Sequence, residues 1–425
     1  MPYSFVTLLG KAVRYAARLR GGGSALPGLF VERLSPDFVA KTLSQLPEGV
    51  VIVSGTNGKT TTTKMVVELL ESQGMTVFTN RTGSNFSRGV AAALLGEIDN
   101  KGQLHADIAV LELDEAHGAK FINKVKPRYS LLLNVMRDQL DRFGEIDTTA
   151  RLLSTIATAT TEAVVLNRED PRLLAFSKHI MTKKSFFGLS APLRSMFPND
   201  DELHGAHANH TITKDIPSAD VVLDELSGQH ATFIVGSSKI ATDMKLNGVY
   251  NIYNAAAAIA LVRAIMPTGI DEQKLIASLA TITPAFGRGE VVTIGGQPLE
   301  LVLVKNPSGF RLGLESFDPD GYATMIAIND NYADGRDMSW LWDVDFTSLQ
   351  KEGVSIVSGI RSYDMALRLQ YDEVPFDMIE TKLTTALRQF IDINATQPKR
   401  IYCTYTAMLA LRRELSTITK MESIG

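Results

Sequence analysis

The chain has 425 residues, enough for about three domains by the usual length prior, and a single cysteine, Cys403, which excludes an intrachain disulfide and any multi-cysteine metal site. Its 45% hydrophobic and 21% charged content is that of an ordinary globular protein, and a net charge of −4 leaves no global basic field for a nucleic acid. No apolar run reaches the roughly 18 residues that span a bilayer, and the short apolar start lacks a persuasive cleavage site, so a cytoplasmic protein without a transmembrane segment is expected.

In chain order, the first 31 residues contain no acid but carry Lys11, Arg14, Arg18 and Arg20. Helical spacing puts Lys11, Arg14 and Arg18 on one face, with Leu8, Leu9, Val13 and Ala16 on or beside the opposite one. Two readings stand: a solvated surface helix, or a basic arm that meets a phosphate-rich or membrane-held ligand. "RGGGSALPG" then breaks the helix. Short apolar runs follow, "GVVIVSG", "MTVFTN", "IAVLEL", "YSLLLNV" and "EAVVLN", separated by helical stretches. Runs of that length, buried on both faces, predict a parallel α/β sheet. The pattern weakens from about residue 191 to 235, which reads as a polar insertion. The alanine-rich helix "NIYNAAAAIALVRAIM" and a hinge at "TPAFGRGE" come next. Beyond it "LELVLVK", "ATMIAIND", "GVSIVSG" and "RIYCTY" alternate with helices as a second, smaller, Rossmann-like α/β domain. The expected division is therefore an N-terminal basic segment (1–45), a central domain (46–286) and a C-terminal domain (287–425).

The stretch "VIVSGTNGKTTTT" carries the clearest chemistry. A strand, a tight turn and Gly-Lys-Thr at a helix start form a phosphate cradle, because backbone N–H groups from Gly55 through Thr56, Asn57, Gly58, Lys59, Thr60 and Thr61 can point at anionic oxygens at the positive end of a helix dipole. Lys59 would reach the terminal phosphates of ATP, and the Thr60 hydroxyl would ligate Mg²⁺. The generic motif wants a glycine where Val53 stands.

That departure has a meaning of its own, since "SGTNGKTTT" resembles the ATP loop of the Mur ligase superfamily. The resemblance continues through "LELDEA", which implies a Mg²⁺-binding role for Glu112. "LNREDP" corresponds to an adenine-side loop carried by Asn167, Asp170 and Pro171. "LNGVYNIYNAAAA" brings Asn251, and "PAFGRGE" brings a nucleotide-reaching Arg288. Within that superfamily, Gln139 in "RDQLDRFGEID", "LVKNPSGF", "NDNYADGRDMSWLWDVDF" and "GIRSYDMALRLQY" resemble the MurT family, from about Lys11 to Leu411. That family is the synthetase side of a lipid II isoglutaminyl synthase working with a GatD-type glutaminase. The resemblance implies a Mur-type central P-loop ATPase domain and amidation of the D-glutamate α-carboxylate of the lipid II stem peptide through an acyl phosphate. It also implies a place at the inner membrane face, where lipid II lies, and a catalytic aspartate at Asp337, with Asp343 as the fallback. MurT chains commonly carry a four-cysteine zinc ribbon; here "HGAHANH", with His204, His207 and His210, stands in that region, and no structural zinc is expected. Cys403, in a strand without a nearby histidine, reads as a small buried hydrophobe rather than a glutaminase nucleophile. Two alternatives compete: a Mur or folylpolyglutamate-type amino-acid ligase that needs no glutaminase, opposed by Gln139 and the "ADGRDMSW" block, and an ATP-binding scaffold without chemistry, opposed by intact Lys59, Thr60 and Glu112.

Overall fold

The computed structural model describes residues 3–19, 26–80, 87–137, 146–197, 216–246, 248–283 and 288–419, to which every statement below applies. Two sheets organise the chain. The first has nine strands in the order β2-β3-β1-β4-β5-β6-β7-β8-β9. Its members are β1 (Val50–Ser54), β2 (Val77–Thr79), β3 (Ile108–Glu112), β4 (Tyr129–Leu132), β5 (Ala163–Asn167), β6 (Lys183–Leu189), β7 (Val221–Ser227), β8 (His230–Val235) and β9 (Ser238–Asp243). The second has six, in the order β10-β11-β15-β12-β13-β14. These are β10 (Arg288–Ile294), β11 (Gln297–Leu303), β12 (Ala323–Ala327), β13 (Val354–Ser358), β14 (Phe376–Glu380) and β15 (Lys399–Cys403).

Strands β1, β3, β4 and β5 are buried along their whole length, which is why they read as unbroken apolar runs rather than alternating ones. One face of the first sheet is covered by the helices Lys59–Ser72, Val249–Ile265 and Glu272–Thr281. The other is covered by the N-terminal helices together with Ser87–Glu97 and Ile146–Ala159. Helix Val249–Ile265 is buried on nearly every side, and its run of alanines lets it lie close against Lys59–Ser72 and strands β4 to β7. Replacing Ile259 or Leu261 there by alanine would cost about 2–5 kcal/mol.

The expectation of parallel strands holds for β1 to β7, but β7-β8-β9 is an antiparallel meander. Its first two strands take up the last third of the segment expected to be a polar insertion, so 221–235 belongs to the sheet. Its strands alternate buried and exposed residues, the signature of a one-sided sheet margin, and polar side chains masked that alternation in the sequence. A second hairpin, β10-β11, turns at Gly295 and Gly296, with φ of 58° and 82°. A Gly-Gly pair with positive φ at both positions is a two-residue hairpin signal in its own right.

Candidate functional site

β1 lies between β3 and β4, and its register decides what surrounds the loop that follows it. Val53 pairs with Glu112 on one side, and Ser54 with Leu132 on the other. The loop from Gly55 to Gly58 is therefore flanked by the end of β3 and the extension of β4. On the β4 side Thr56 N–H donates to Asn134 O (3.1 Å) and Asn57 N–H to Asn134 Oδ1 (2.8 Å). Asn134 Nδ2 donates back to Asn57 O at 3.1 Å. Gly55 and Gly58 have φ of 132° and 86°. A Cβ on Gly58 would stand 2.7 Å from Asn254 Nδ2, so this turn requires glycine for its conformation and for the close approach.

Lys59 and Thr60 open the helix Lys59–Ser72 at this loop. Lys59 is buried and folds back, donating from Nζ to Gly55 O (2.5 Å) and Thr56 O (3.1 Å). Its ammonium stands 3.7 Å from Glu115 Oε1, a buried oxygen that accepts no hydrogen bond. A lysine held among the carbonyls of its own loop, beside a buried carboxylate, has its side-chain nitrogen fixed within the phosphate loop. On the β3 side the Thr60 hydroxyl donates to Glu112 Oε1 at 2.8 Å. Glu112 is held by a reciprocal pair: its N–H donates to Asn80 Oδ1 (3.0 Å), and Asn80 Nδ2 donates to its carbonyl (2.9 Å). A hydroxyl and a carboxylate in contact at a phosphate loop form a hard-oxygen donor set that fits Mg²⁺.

Asn57, Gly58, Asn167, Asp170 and Asn251 all line one cleft, whose far wall is built by β11 and the helix Pro307–Ser316 through Lys305, Leu312 and Phe317. Two of these residues are spent on the fold. Asp170 Oδ1 accepts from Arg172 and Leu173 N–H, capping the helix Pro171–Ser177, and Oδ2 accepts from Val135 N–H at 2.6 Å. Burial pushes its carboxyl up to about 6 in spite of these three donors. Asn167 donates to Leu133 O and accepts from Glu169 N–H and Tyr253 Oη. The wall beside them is aromatic: Phe187 and Tyr253 have ring centroids 5.4 Å apart, and Phe197 and Tyr250 5.0 Å.

In the second sheet the loop after β12 carries the acidic cluster, and its members do different work. Asp334 is buried; it accepts from Thr406 N–H (2.7 Å), Thr406 Oγ1 (2.5 Å) and Asn331 N–H (3.0 Å), fixing the first turn of the helix Tyr405–Leu415. Asp345 accepts from Thr347 N–H and Oγ1. Asp337 is half-exposed, and hydrogen bonding from Ser339 holds its carboxyl below the usual range. Asp343 is exposed, and its backbone carbonyl accepts from Arg311. Asp337 does not line the cleft, yet it follows β12 on the edge that meets the phosphate loop. Asn306, just after β11, donates from Nδ2 to Asn57 Oδ1 at 3.3 Å, and β12 lies two strands from β11, about 10 Å away at normal sheet spacing.

Gln139, His204, His207 and His210 lie outside the described residues, as does the side chain of Arg288, whose backbone opens β10. Cys403 is buried in β15, and burial pushes its thiol up, as a structural cysteine requires. Sequence reasoning missed Asn80, Glu115, Asn134, Asn254 and Asn306. The one with a signal was Asn254, three residues beyond Asn251 and so on the same helix face.

A phosphate loop at a strand end, a carboxylate one strand over and a second sheet whose edge meets the loop are the architecture of the Mur-type ligases. MurF from Acinetobacter baumannii superposes with a TM-score of 0.68 at 18% identity, covering 93% of this chain and 79% of that one. MurF from Thermotoga maritima in complex with ADP superposes at 0.65 and 17% identity, covering 90% and 83%. Residues 53–262 match the Mur ligase middle domain family, and residues 303–408 the MurT ligase C-terminal family. The MurT subunit of the lipid II isoglutaminyl synthase (glutamine-hydrolyzing) of Streptococcus pneumoniae is 31% identical, with 96% of each chain covered. The chain belongs to the MurT family and is an ATP-dependent, Mur-type ligase.

Proposed function

We propose that this protein is the synthetase subunit of a lipid II isoglutaminyl synthase, amidating the D-glutamate α-carboxylate of the stem peptide. A carboxylate is a poor electrophile because oxide is a prohibitive leaving group. Attack of its oxygen on the γ-phosphorus of ATP gives an acyl phosphate and ADP. Ammonia then adds to the acyl carbon, phosphate leaves with the bonding electron pair, and the nitrogen sheds a proton. The observation that carries this reading is the contact between Asn57 of the phosphate loop and Asn306 of the MurT-type domain, which joins the activation edge to the edge bearing Asp337.

In this reading the N–H groups of Gly55 to Thr61 and the Lys59 ammonium hold the phosphates, Lys59 exchanging the loop carbonyls for phosphate oxygens. Glu115 keeps that ammonium aimed. Thr60 and Glu112 would hold Mg²⁺, which when bound would supply charge neutralisation for the phosphoryl group. The aromatic wall of Tyr250, Phe187 and Phe197 receives the adenine, while Asn167 and Asp170 keep that wall in shape; Asn251 and Arg288 complete the nucleotide site. Asp337, an anion at neutral pH and a weak base, suits holding and orienting incoming ammonium better than retaining its proton.

Ammonia comes from a GatD-type glutaminase. On the second sheet's side, the helix Ser362–Tyr371 exposes Tyr363 (68%), Leu367 (52%) and Tyr371 (74%), and Trp342 packs edge-on against Tyr371 at 5.3 Å. Trp342 lies in the same loop as Asp337, and this apolar stripe is where the glutaminase docks. The test is reconstitution: co-purify the chain with a GatD-type glutaminase and follow conversion of lipid II to its isoglutamine form with glutamine as nitrogen donor. Turnover with a free amino acid and no glutaminase would instead identify an ordinary amino-acid ligase.

A further inference from the structure

The helix Tyr3–Leu19 sits the opposite way round from an ordinary surface helix. Its buried residues include Val6, Thr7 and Gly10. Gly10 sets the geometry: a Cβ there would lie 2.5 Å from Val31 Cγ2 and 2.7 Å from Leu95 Cδ2, so the bare backbone rests on the helices Leu26–Leu34 and Ser87–Glu97. That close approach fixes the rotation about the helix axis. At about 100° per residue, Phe5, Leu8, Ala12 and Tyr15 then share the outward face. Phe5 is 50% exposed, Leu8 52% and Tyr15 67%. An amphipathic helix of a globular protein turns such a face inward.

Charge narrows what covers it. The helix contains no acid, although the chain as a whole carries −4. Lys11 flanks the stripe, its Nζ donating to Asn100 Oδ1 at 3.4 Å, while Arg14, half-buried, lies toward the Gly10 side with its guanidinium packing against Gly96. The stripe itself is short, three large apolar side chains on an acid-free, cationic helix. That is the make-up of a helix lying in a bilayer interface, apolar face down, with Lys11 at its flank and no acid to repel an anionic headgroup.

We propose that this face docks the protein on an anionic membrane surface, with Phe5, Leu8 and Tyr15 entering the headgroup–acyl boundary. The benefit to the enzyme, working in the layer that holds a lipid-borne substrate, rests on the proposed function; the docking itself does not.

The test is flotation of the full chain with vesicles that contain no lipid II, made of phosphatidylcholine alone or mixed with phosphatidylglycerol. Wild type should partition onto the mixed vesicles at least about tenfold better than onto the neutral ones. The double variant Phe5→Asp/Leu8→Asp should lose about tenfold or more of that partitioning, and Tyr15→Asp, read separately, should lose part of it. Met181→Asp, at a position 96% exposed elsewhere on the surface, should leave it unchanged. Amidation of detergent-solubilised substrate should be the same in wild type and the double variant. No flotation of wild type, equal flotation of wild type and both stripe variants, or no preference for the anionic vesicles would overturn the proposal. So would an equal loss of amidation in detergent and in vesicles, which would assign the face to the fold or to a protein partner.

Discussion

The two sheets present loops to the same region, and they hold their carboxylates in opposite ways. At the nucleotide edge the working groups are pre-paired and all but the half-buried Thr60 are buried: Lys59 with its own loop and Glu115, Thr60 with Glu112, Glu112 with Asn80. At the MurT-type edge the buried carboxylate, Asp334, is consumed by capping a helix, and the candidate Asp337 stands half-exposed. A site that handles phosphate charge gains from fixed, water-poor dipoles. A site that must receive a small molecule across a subunit boundary has to stay open until the partner closes it.

The largest expected effect tests the first half of that contrast. Lys59→Ala removes a phosphate contact that strengthens in the transition state and should abolish amidation, measured as product formation by the reconstituted pair. The fold should persist by circular dichroism; unchanged turnover in a folded variant would break the assignment. Next comes the open edge. Asp337→Asn should lower amidation by roughly 10² to 10⁴ while leaving ATP affinity and glutaminase association intact. Because hydrogen bonding holds the Asp337 carboxyl below the usual range, the ratio of wild-type to variant rate should stay flat between about pH 6 and 8. A limb in that window would make Asp337 a tuned base, and full activity would move the role to Asp343.

A smaller effect separates docking from chemistry. Tyr363→Asp with Leu367→Asp should weaken glutaminase binding by about 1–4 kcal/mol on titration calorimetry, as loss of apolar interface anchors does. ATP binding should not change. The smallest concerns scaffolding. Asp170→Asn should cost about 1–3 kcal/mol of stability by disturbing a helix cap and a buried hydrogen bond. The folded carboxyl lies near 6 against an ordinary 3.8, so its ionisation opposes folding. Stability linked to it is complete below about 3.8 and is lost as pH rises through about 6, a step in melting temperature that Asp170→Asn should lack.

The nucleotide edge was legible because strand, turn and helix lie within a few dozen residues and each leaves a local mark. Lys59 and Thr60 could be read that way, whereas Glu112 was reached only through the resemblance carried by "LELDEA"; the register of β1 and β3 brings the three together. Asn80, Asn134 and Asn306 could not. Each acts by pairing with a distant chain segment, and an asparagine that bonds a remote backbone looks like any loop asparagine. The acidic cluster is illegible for a related reason. Asp334, Asp337, Asp343 and Asp345 are neighbours in sequence, and only Thr406, 72 residues away, shows that Asp334 is occupied in holding a helix. The β7-β8-β9 meander was hidden because a sheet margin with one wet face carries as many polar as apolar residues.

Two of the contacts between the two sheets are made by uncharged groups: the Asn57 and Asn306 carboxamides, and the Ser308 hydroxyl donating to Arg137 O at 3.2 Å. Neither contact titrates near neutrality, and neither weakens as a salt bridge does when ions screen it. Contacts of this kind hold with the same strength in dilute and in concentrated salt, so the two sheets keep this part of their junction across a range of ionic surroundings.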